Sequence, residues 1–272
     1  MKHFSSVKVY RTLSSHFRFA TGFAIIHNMM PASQVTESMT TEKPELLDWR
    51  DGVAYFHGVR VDHRVAHIAG REFKLAVLRD AAELLDLPHF EKLFIETDRL
   101  PYGLELWPAS QILSEMILTG EPGDHRHAIE IGCGLGLVGI AATIAGWHVR
   151  ATDIDPMALD FARMNGELNG VAVAEWGELD WRNPPTDRKY DRVFGADILY
   201  ELVHHAPILS CVKQLLAPGG VAMISDPHRG VADRVADMAC QAGFDVRIRL
   251  GEAPNHLGQT IKGRVFELRV NC

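Results

Sequence analysis

The segment Glu130-Ile131-Gly132-Cys133-Gly134-Leu135-Gly136-Leu137-Val138-Gly139 is where residue type and spacing point most directly to chemistry. An apolar run leads into it and small apolar residues follow, so it reads as a strand-to-helix turn. Glycines in such a turn let a ligand approach the backbone and the helix N-terminus closely. Gly134, Gly136 and Gly139 fit the G-x-G-x-x-G spacing of dinucleotide sites, and Asp153 lies at the distance where a carboxylate holds ribose hydroxyls. The loop by itself leaves a dinucleotide, S-adenosylmethionine and a tight turn without a ligand as alternatives. Three features favour S-adenosylmethionine, a sulfonium cation without phosphates. Glu130 sets a carboxylate beside the loop, where it repels a pyrophosphate. More than 120 residues precede the motif, whereas dinucleotide folds often open with it. Leu179-Asp180-Trp181 follows the third strand, at the position of an adenine ring.

The elements that must hold these residues alternate in type. HAIEIGC and HVRATDID read as strands, GLVGIAATIAG and PMALDFARMNGELNG as helices, the second with Asp155 as N-cap and Pro156 in its first turn. VAVAEWGELDW and YDRVFGADILY continue as strands, LVHHAPILSCVKQLL as a helix, GGVAMISDP as a strand and VADRVADMACQAG as a helix ending at Gly243. FDVRIRLGE and RVFELRV, joined without helical pattern, predict an antiparallel pair at the sheet edge. Strands alternating with helices specify a doubly wound parallel sheet. Upstream, residues 44–70 suit hairpin strands. Within residues 71–90 the apolar spacing of FKLAVLRDAAELLDLPHF predicts that at least part is helical. PYGLELWPAS reads as a loop entering a helix.

Composition limits the partners. With 28 Lys+Arg against 35 Asp+Glu the net charge is −7, which argues against binding nucleic acid through phosphate neutralisation. No apolar run reaches the ~18 residues of a membrane span. The four cysteines, Cys133, Cys211, Cys240 and Cys272, are far apart and read as reduced thiols of a cytoplasmic protein, with no metal site. Residues 1–36 lack acidic side chains but carry Lys2, Lys8, Arg11 and Arg18, the composition of a disordered or processed tail, or of a transit peptide in a eukaryote. His63 and His67 are spaced i, i+4 but lack a third ligand, so a solvated strand is the better reading.

EIGCGLGLVGIAA, TDIDPMAL, LDW and ADILYE together resemble the class I, seven-stranded, S-adenosylmethionine-dependent methyltransferases. More narrowly they resemble the group of protein-lysine methyltransferases and nicotinamide-N-methyltransferase-like proteins. PYGLELWPAS is similar to the tryptophan-proline segment preceding the glycine motif there. The resemblance covers about residues 100–270. It implies a doubly wound, mostly parallel seven-stranded Rossmann-like α/β sheet with an antiparallel last strand. The expected organisation is a tail over 1–43, flanking strands and a helix over 44–100, and a methyltransferase domain over 101–272.

The resemblance also implies roles. Glu130, Gly132, Gly134 and Gly136 should line the methionine moiety and ribose, and Asp153 should take both ribose hydroxyls. Ile154, Asp180 and Trp181 should flank adenine, Trp107 should close over the cofactor, and Ala196 should contact it. Asp197-Ile198-Leu199-Tyr200 matches the D-x-x-Y element at the acceptor side of lysine methyltransferases in this group. Glu201, Asp226, His228 and Arg229 are candidates for the acceptor pocket; His204 and His205 follow close by. The expected reaction is methyl transfer from S-adenosylmethionine, with S-adenosylhomocysteine as product, to a protein lysine on a basic partner. A small amine or pyridine acceptor of the nicotinamide type is the alternative, and a cofactor-binding interaction module without catalysis is the next.

A lysine acceptor is mostly protonated at neutral pH, with an ordinary pKa of about 10.4, so freeing its lone pair costs about 4–5 kcal/mol. A carboxylate such as Asp197 recruits and orients the ammonium, but its charge alone raises that pKa. Desolvation and nearby positive charge must act in the opposite sense.

Overall fold

The computed structural model describes residues 47–88, 90–92, 100–185 and 187–271. The tail expected over 1–43 lies outside them. The chain divides into two compact units, one reaching Arg60 and resuming over Asp80–Leu100, the other comprising Val61–Arg79 and everything from Pro101 onward.

In the first unit, β1 (Asp48–Arg50) pairs antiparallel with β2 (Val53–Phe56), and β2 with the opening residues of β3 (Val59–Ile68). Asp51-Gly52 and His57-Gly58 make the two turns with φ of 50°, 76°, 49° and 87°, the left-handed pairs that two-residue hairpins require. A 3-10 helix, Ala81–Asp86, is capped by the Asp80 carboxylate, which accepts from the Ala82 amide at 3.0 Å.

In the second unit the rest of β3 pairs with β4 (Arg71–Leu78). The helix expected within residues 71–90 therefore lies wholly in the first unit, as the 3-10 turn and a helical turn that includes residues 88 and 90, and FKLAVL is a strand. Its short apolar run fits period two as well as period 3.6, and a long-range partner decides between them.

A seven-stranded sheet follows. Its elements in chain order are α1 (Pro108–Leu118), β5 (His127–Ile131), α2 (Leu137–Ile144), β6 (His148–Asp153), α3 (Pro156–Leu168), β7 (Glu175–Glu178), β8 (Tyr190–Ala196), α4 (Leu202–Leu215), β9 (Leu216–Asp226), α5 (Val235–Gln241), β10 (Phe244–Pro254) and β11 (Thr260–Val270). The strand order is β10-β11-β9-β8-β5-β6-β7. β5 runs parallel to both β6 and β8, and β11 alone is reversed between β9 and β10. The expected mostly parallel doubly wound sheet with its antiparallel edge is the fold observed.

Alternation within each strand distributes the helices. Ile129, Ile131, Ala222 and Ile224 are buried with Ile208, Leu209 and Val212 of α4 and Ala239 of α5. Glu130 and Ser225, on the other face, meet α2 and α1: the Ser225 hydroxyl donates to the Ala109 carbonyl at 2.9 Å. α1 lies so close to the β10–β11 pair that methyl groups added at Gly251 and Gly263, register partners, would sit 2.7 and 2.6 Å from Ile112. Chain order reverses at β5, between β6 and β8, and a ligand crevice forms at the carboxyl ends of strands at such a point. Among the described residues no helix is long and apolar enough to cross a membrane.

Candidate functional site

The carboxyl ends of β5, β6 and β8 converge at this crevice. Gly132 and Gly134 adopt φ of 73° and 51°, and the Cys133 amide donates back to the Thr152 carbonyl at 2.9 Å, tying the loop to β6. A methyl group at Gly132 would lie 2.8 Å from Ile198 and 3.6 Å from the Trp181 ring; one at Gly134 would lie 3.0 Å from the Gly103 carbonyl. Bare backbone is thus presented between the Asp197–Tyr200 segment and a 3-10 turn, Tyr102–Leu104. Asp153 ends β6 with 8% of its surface exposed. Its oxygens accept from the Gly134 amide at 2.8 Å and the Asp155 amide at 3.0 Å, which aims the carboxylate along the loop.

Two expected loop residues lie elsewhere. Gly136 faces α3, where a Cβ would stand 2.8 Å from that of Ala162, so this glycine serves helix packing. Glu130 is 1% exposed beneath the loop, with Oε2 unpartnered, on the side of Gly139. Burial, and secondarily the charge of Asp153, holds its carboxyl well above the usual range against the Gly139 amide dipole. Asp180 is clamped by Arg182, Nη2 to Oδ2 at 2.6 Å, near the surface, while the Trp181 ring lies 5.4 Å from that of His204, tilted by 57°. Ile154 and Ala196 are half-buried at the ends of β6 and β8.

The other half of the crevice is aromatic and charged. The Tyr200 ring meets Tyr102 edge-on at 5.6 Å and His204 at 6.1 Å; Tyr102 lies 6.3 Å from Trp107. Trp107 Nε1–H donates to the Tyr102 carbonyl at 2.8 Å, so the tryptophan stands with the Tyr102 and Tyr200 rings. Burial raises the phenol of Tyr102 to about 12 and that of Tyr200 further still, with Glu201 adding to both, and keeps both hydroxyls protonated. Glu201 is exposed, and its hydrogen-bonded partner His204, 3.3 Å away, keeps its carboxyl below the ordinary range.

Asp197 occupies a left-handed backbone position, φ 59°, immediately after β8, with its amide donating to the Ser225 carbonyl at 2.9 Å. Its carboxylate forms an ion pair with Arg229, whose guanidinium carbon sits 5.5 Å over the Trp107 ring. Asp226 faces away from the crevice centre: fully buried, it accepts from the Arg229 amide at 3.0 Å and from Arg264 Nε at 3.2 Å. Burial raises its carboxyl, an effect Arg264 opposes. His228 is exposed in a second left-handed position.

Residue spacing did not single out Tyr102, Gly103 or Arg264. Gly103 was visible only as part of a tryptophan-proline segment. Arg264 left one signal, a lone cation at an inward position of an apolar strand. The donor set fits S-adenosylmethionine: a half-exposed glycine cradle, an amide-pinned carboxylate for ribose, the Trp181 ring beside them, and no cationic side chain within residues 130–139.

Comparison with known proteins agrees with this chemistry. The chain is 29% identical over 221 residues to the ribosomal protein L11 methyltransferase of Geobacillus kaustophilus, covering 79% of this chain and 64% of that one. It is 28% identical over 143 residues to protein-lysine N-methyltransferase rrg1 of Schizosaccharomyces pombe, covering 47% of each. It is 40% identical over 135 residues to the electron transfer flavoprotein beta subunit lysine methyltransferase of Danio rerio, covering 47% of this chain and 51% of that one. The chain thus spans about half to two thirds of the length of these relatives. Residues 91–235, more than half of the sequence, match the model of a family described as lysine methyltransferase, and the chain belongs to that family.

Proposed function

We propose that this chain is an S-adenosylmethionine-dependent N-methyltransferase whose acceptor is the side-chain amine of a lysine in a protein. One observation carries the reading: the glycine cradle and the Asp197–Tyr200 segment touch, Gly132 against Ile198, so a ribose-holding carboxylate and an acceptor-side tyrosine open on one crevice. Two of the relatives, each a lysine methyltransferase, support it.

When bound, S-adenosylmethionine supplies an activated methyl group. The chain itself holds, orients and excludes water. Asp153, the cradle and Trp181 hold the nucleoside; Tyr200 offers a ring and a protonated hydroxyl to the acceptor nitrogen; Tyr102 and Trp107 wall off solvent. Alignment of donor and acceptor near 3 Å is the main requirement of such a transfer. The described cysteines are free thiols, in keeping with a reducing cytoplasm.

The test pairs binding with turnover. Asp153→Ala weakens S-adenosylhomocysteine in calorimetry by about 1.5–3 kcal/mol, tenfold or more. Asp197→Asn leaves that affinity within about twofold but lowers transfer of labelled methyl from S-adenosylmethionine at least tenfold, with methyl-lysine located by mass spectrometry in the labelled protein. Label recovered only in the small-molecule fraction of the extract would move the acceptor class to amines or pyridines. Undiminished transfer by Asp197→Asn would remove that residue from the site.

A further inference from the structure

In this structure Asp197 is not a lone carboxylate awaiting an ammonium. Arg229 faces it: Nη1 forms an ion pair with Oδ1, and Nη2 donates a hydrogen bond to Oδ2 at 3.3 Å. The two side chains are 5% and 11% exposed, and the guanidinium lies over the Trp107 ring. A buried ion pair backed by an aromatic face is costly to open, so an incoming ammonium does not readily take the place of the arginine.

The arginine is also built in from behind. Asp226 accepts from the Arg229 amide, and Arg264 Nη2 donates to the Arg229 carbonyl at 3.0 Å. Arg264 is in turn paired with Asp226 and with Asp233, Nη1 to Oδ1 at 2.8 Å. Both backbone groups of Arg229 are therefore held by a charged cluster of β9, β11 and the turn between β9 and α5.

We infer that Arg229 is a positioning residue that cancels the charge of Asp197, so that the floor of the acceptor pocket is a neutral ion pair admitting the lysine side chain as free amine rather than as ammonium. The inference rests on the lysine-acceptor reading above. It resolves the conflict that a bare Asp197 creates: a carboxylate recruits the acceptor in its unreactive protonated form, whereas a neutral floor with a guanidinium beside it does not. The other charged or titratable groups facing this corner are Tyr102 and Glu105 ahead of α1, Tyr200, Glu201 and His204 at the start of α4, Asp153 on β6, and Asp226, His228 and Arg264 behind Arg229. Glu201 is answered by His204 and Asp226 by Arg264. The two phenols stay protonated through pH 9, and burial lowers Arg229 only to about 10.

The full chain, saturated with S-adenosylhomocysteine, is titrated with n-butylamine as a lysine side-chain probe at pH 8 and pH 9. A pocket that takes only the free amine gains about tenfold in apparent affinity over this unit, because the probe titrates near the lysine value of about 10.4. The wild type is expected to show that gain. Arg229→Gln, which exposes the probe to an uncompensated carboxylate, is expected to change by less than twofold. Arg229→Gln combined with Asp197→Asn makes the floor neutral again and restores the tenfold gain, a reversal that loss of packing cannot produce. Arg229→Met, which fills the space over Trp107, replaces Arg229→Gln if the latter does not fold. A tenfold gain in the single variant, or none in the double, overturns the inference while leaving the lysine reading intact. A wild type that binds the probe equally at both pH values also overturns it. A wild type that binds S-adenosylhomocysteine but no probe at either pH overturns the lysine reading, and this inference with it.

Discussion

Buried carboxyl groups around the crevice do different work according to what faces them. Asp153 accepts two backbone amides and Asp197 an arginine, whereas Glu130, 1% exposed, has one unpartnered oxygen. Burial favours its neutral form, so its carboxyl in the folded chain lies well above the ordinary 4.5. A group raised in this way holds its proton more tightly when folded. Its contribution to stability is complete below pH 4.5 and is lost as pH rises through the folded value. Glu130→Gln cannot ionise and escapes that loss. Melting temperatures measured from pH 5 to pH 9 should therefore fall more steeply for the wild type than for Glu130→Gln. Parallel curves would mean that Glu130 remains ionised beneath the loop. Asp197 and His228, both at φ 59°, are left-handed residues without the freedom of glycine, and both stand at strand ends bordering the crevice, where such strain tends to be kept.

At the scale of elements, α3 holds β4 by reading its backbone. Asn165 accepts from the Ala76 amide at 2.7 Å and donates to the Ala76 carbonyl at 3.3 Å and the Leu135 carbonyl at 3.0 Å. Asn169 does the same at Lys74, accepting at 2.9 Å and donating at 2.7 Å. The match is geometric: four helical residues rise about 6 Å and two strand residues about 6.6 Å, so asparagines at i and i+4 meet alternate strand residues. The Leu135 bond also ties the glycine loop to this joint. Asn165→Ala strands buried polar groups on both sides and should cost about 2–4 kcal/mol, whereas Asn169→Ala, whose partners are exposed, should cost about 1 kcal/mol. Urea midpoints of the two variants check this, and equal losses would refute it. The same joint explains why the helical spacing over residues 71–90 did not separate β4 from the helical turn after it. Phe73, Leu75 and Val77 alternate locally, but what fixes the strand is a helix about 90 residues away in sequence. The parallel strands and their helices were legible because each carries its own period and cap, such as Asp155 ahead of Pro156. The cradle was legible from its glycines. Arg229 was legible only as a pocket candidate, because its pairing with Asp197 joins the ends of two strands and has no local signature.

For the molecule as a whole, charge bears on how an acceptor arrives. Residues 1–46 hold 5 basic and 3 acidic side chains, so the remaining residues carry −9 of the total of −7. A field of this sign draws a basic protein toward the surface and speeds encounter, and the effect weakens once the Debye length shrinks to about 10 Å near 0.1 M salt. Inside the crevice the situation differs, because Asp197 is already paired and the enclosed ion pair is little screened. On the proposed reading, two regimes follow for one reaction: long-range attraction of a positively charged partner, then admission of a single uncharged amine. Raising salt from 50 to 300 mM should therefore increase KM for a basic protein acceptor several-fold. Over the same range, kcat and the affinity for S-adenosylhomocysteine should hold nearly constant. Initial rates with labelled methyl donor, together with calorimetry at the two salt concentrations, separate these quantities. A KM that ignores salt would mean that the acceptor reaches Tyr200 and Asp197 without help from the acidic surface, as an uncharged small molecule does. A fall in kcat with salt would place screening inside the crevice and contradict the buried, paired state of Asp197.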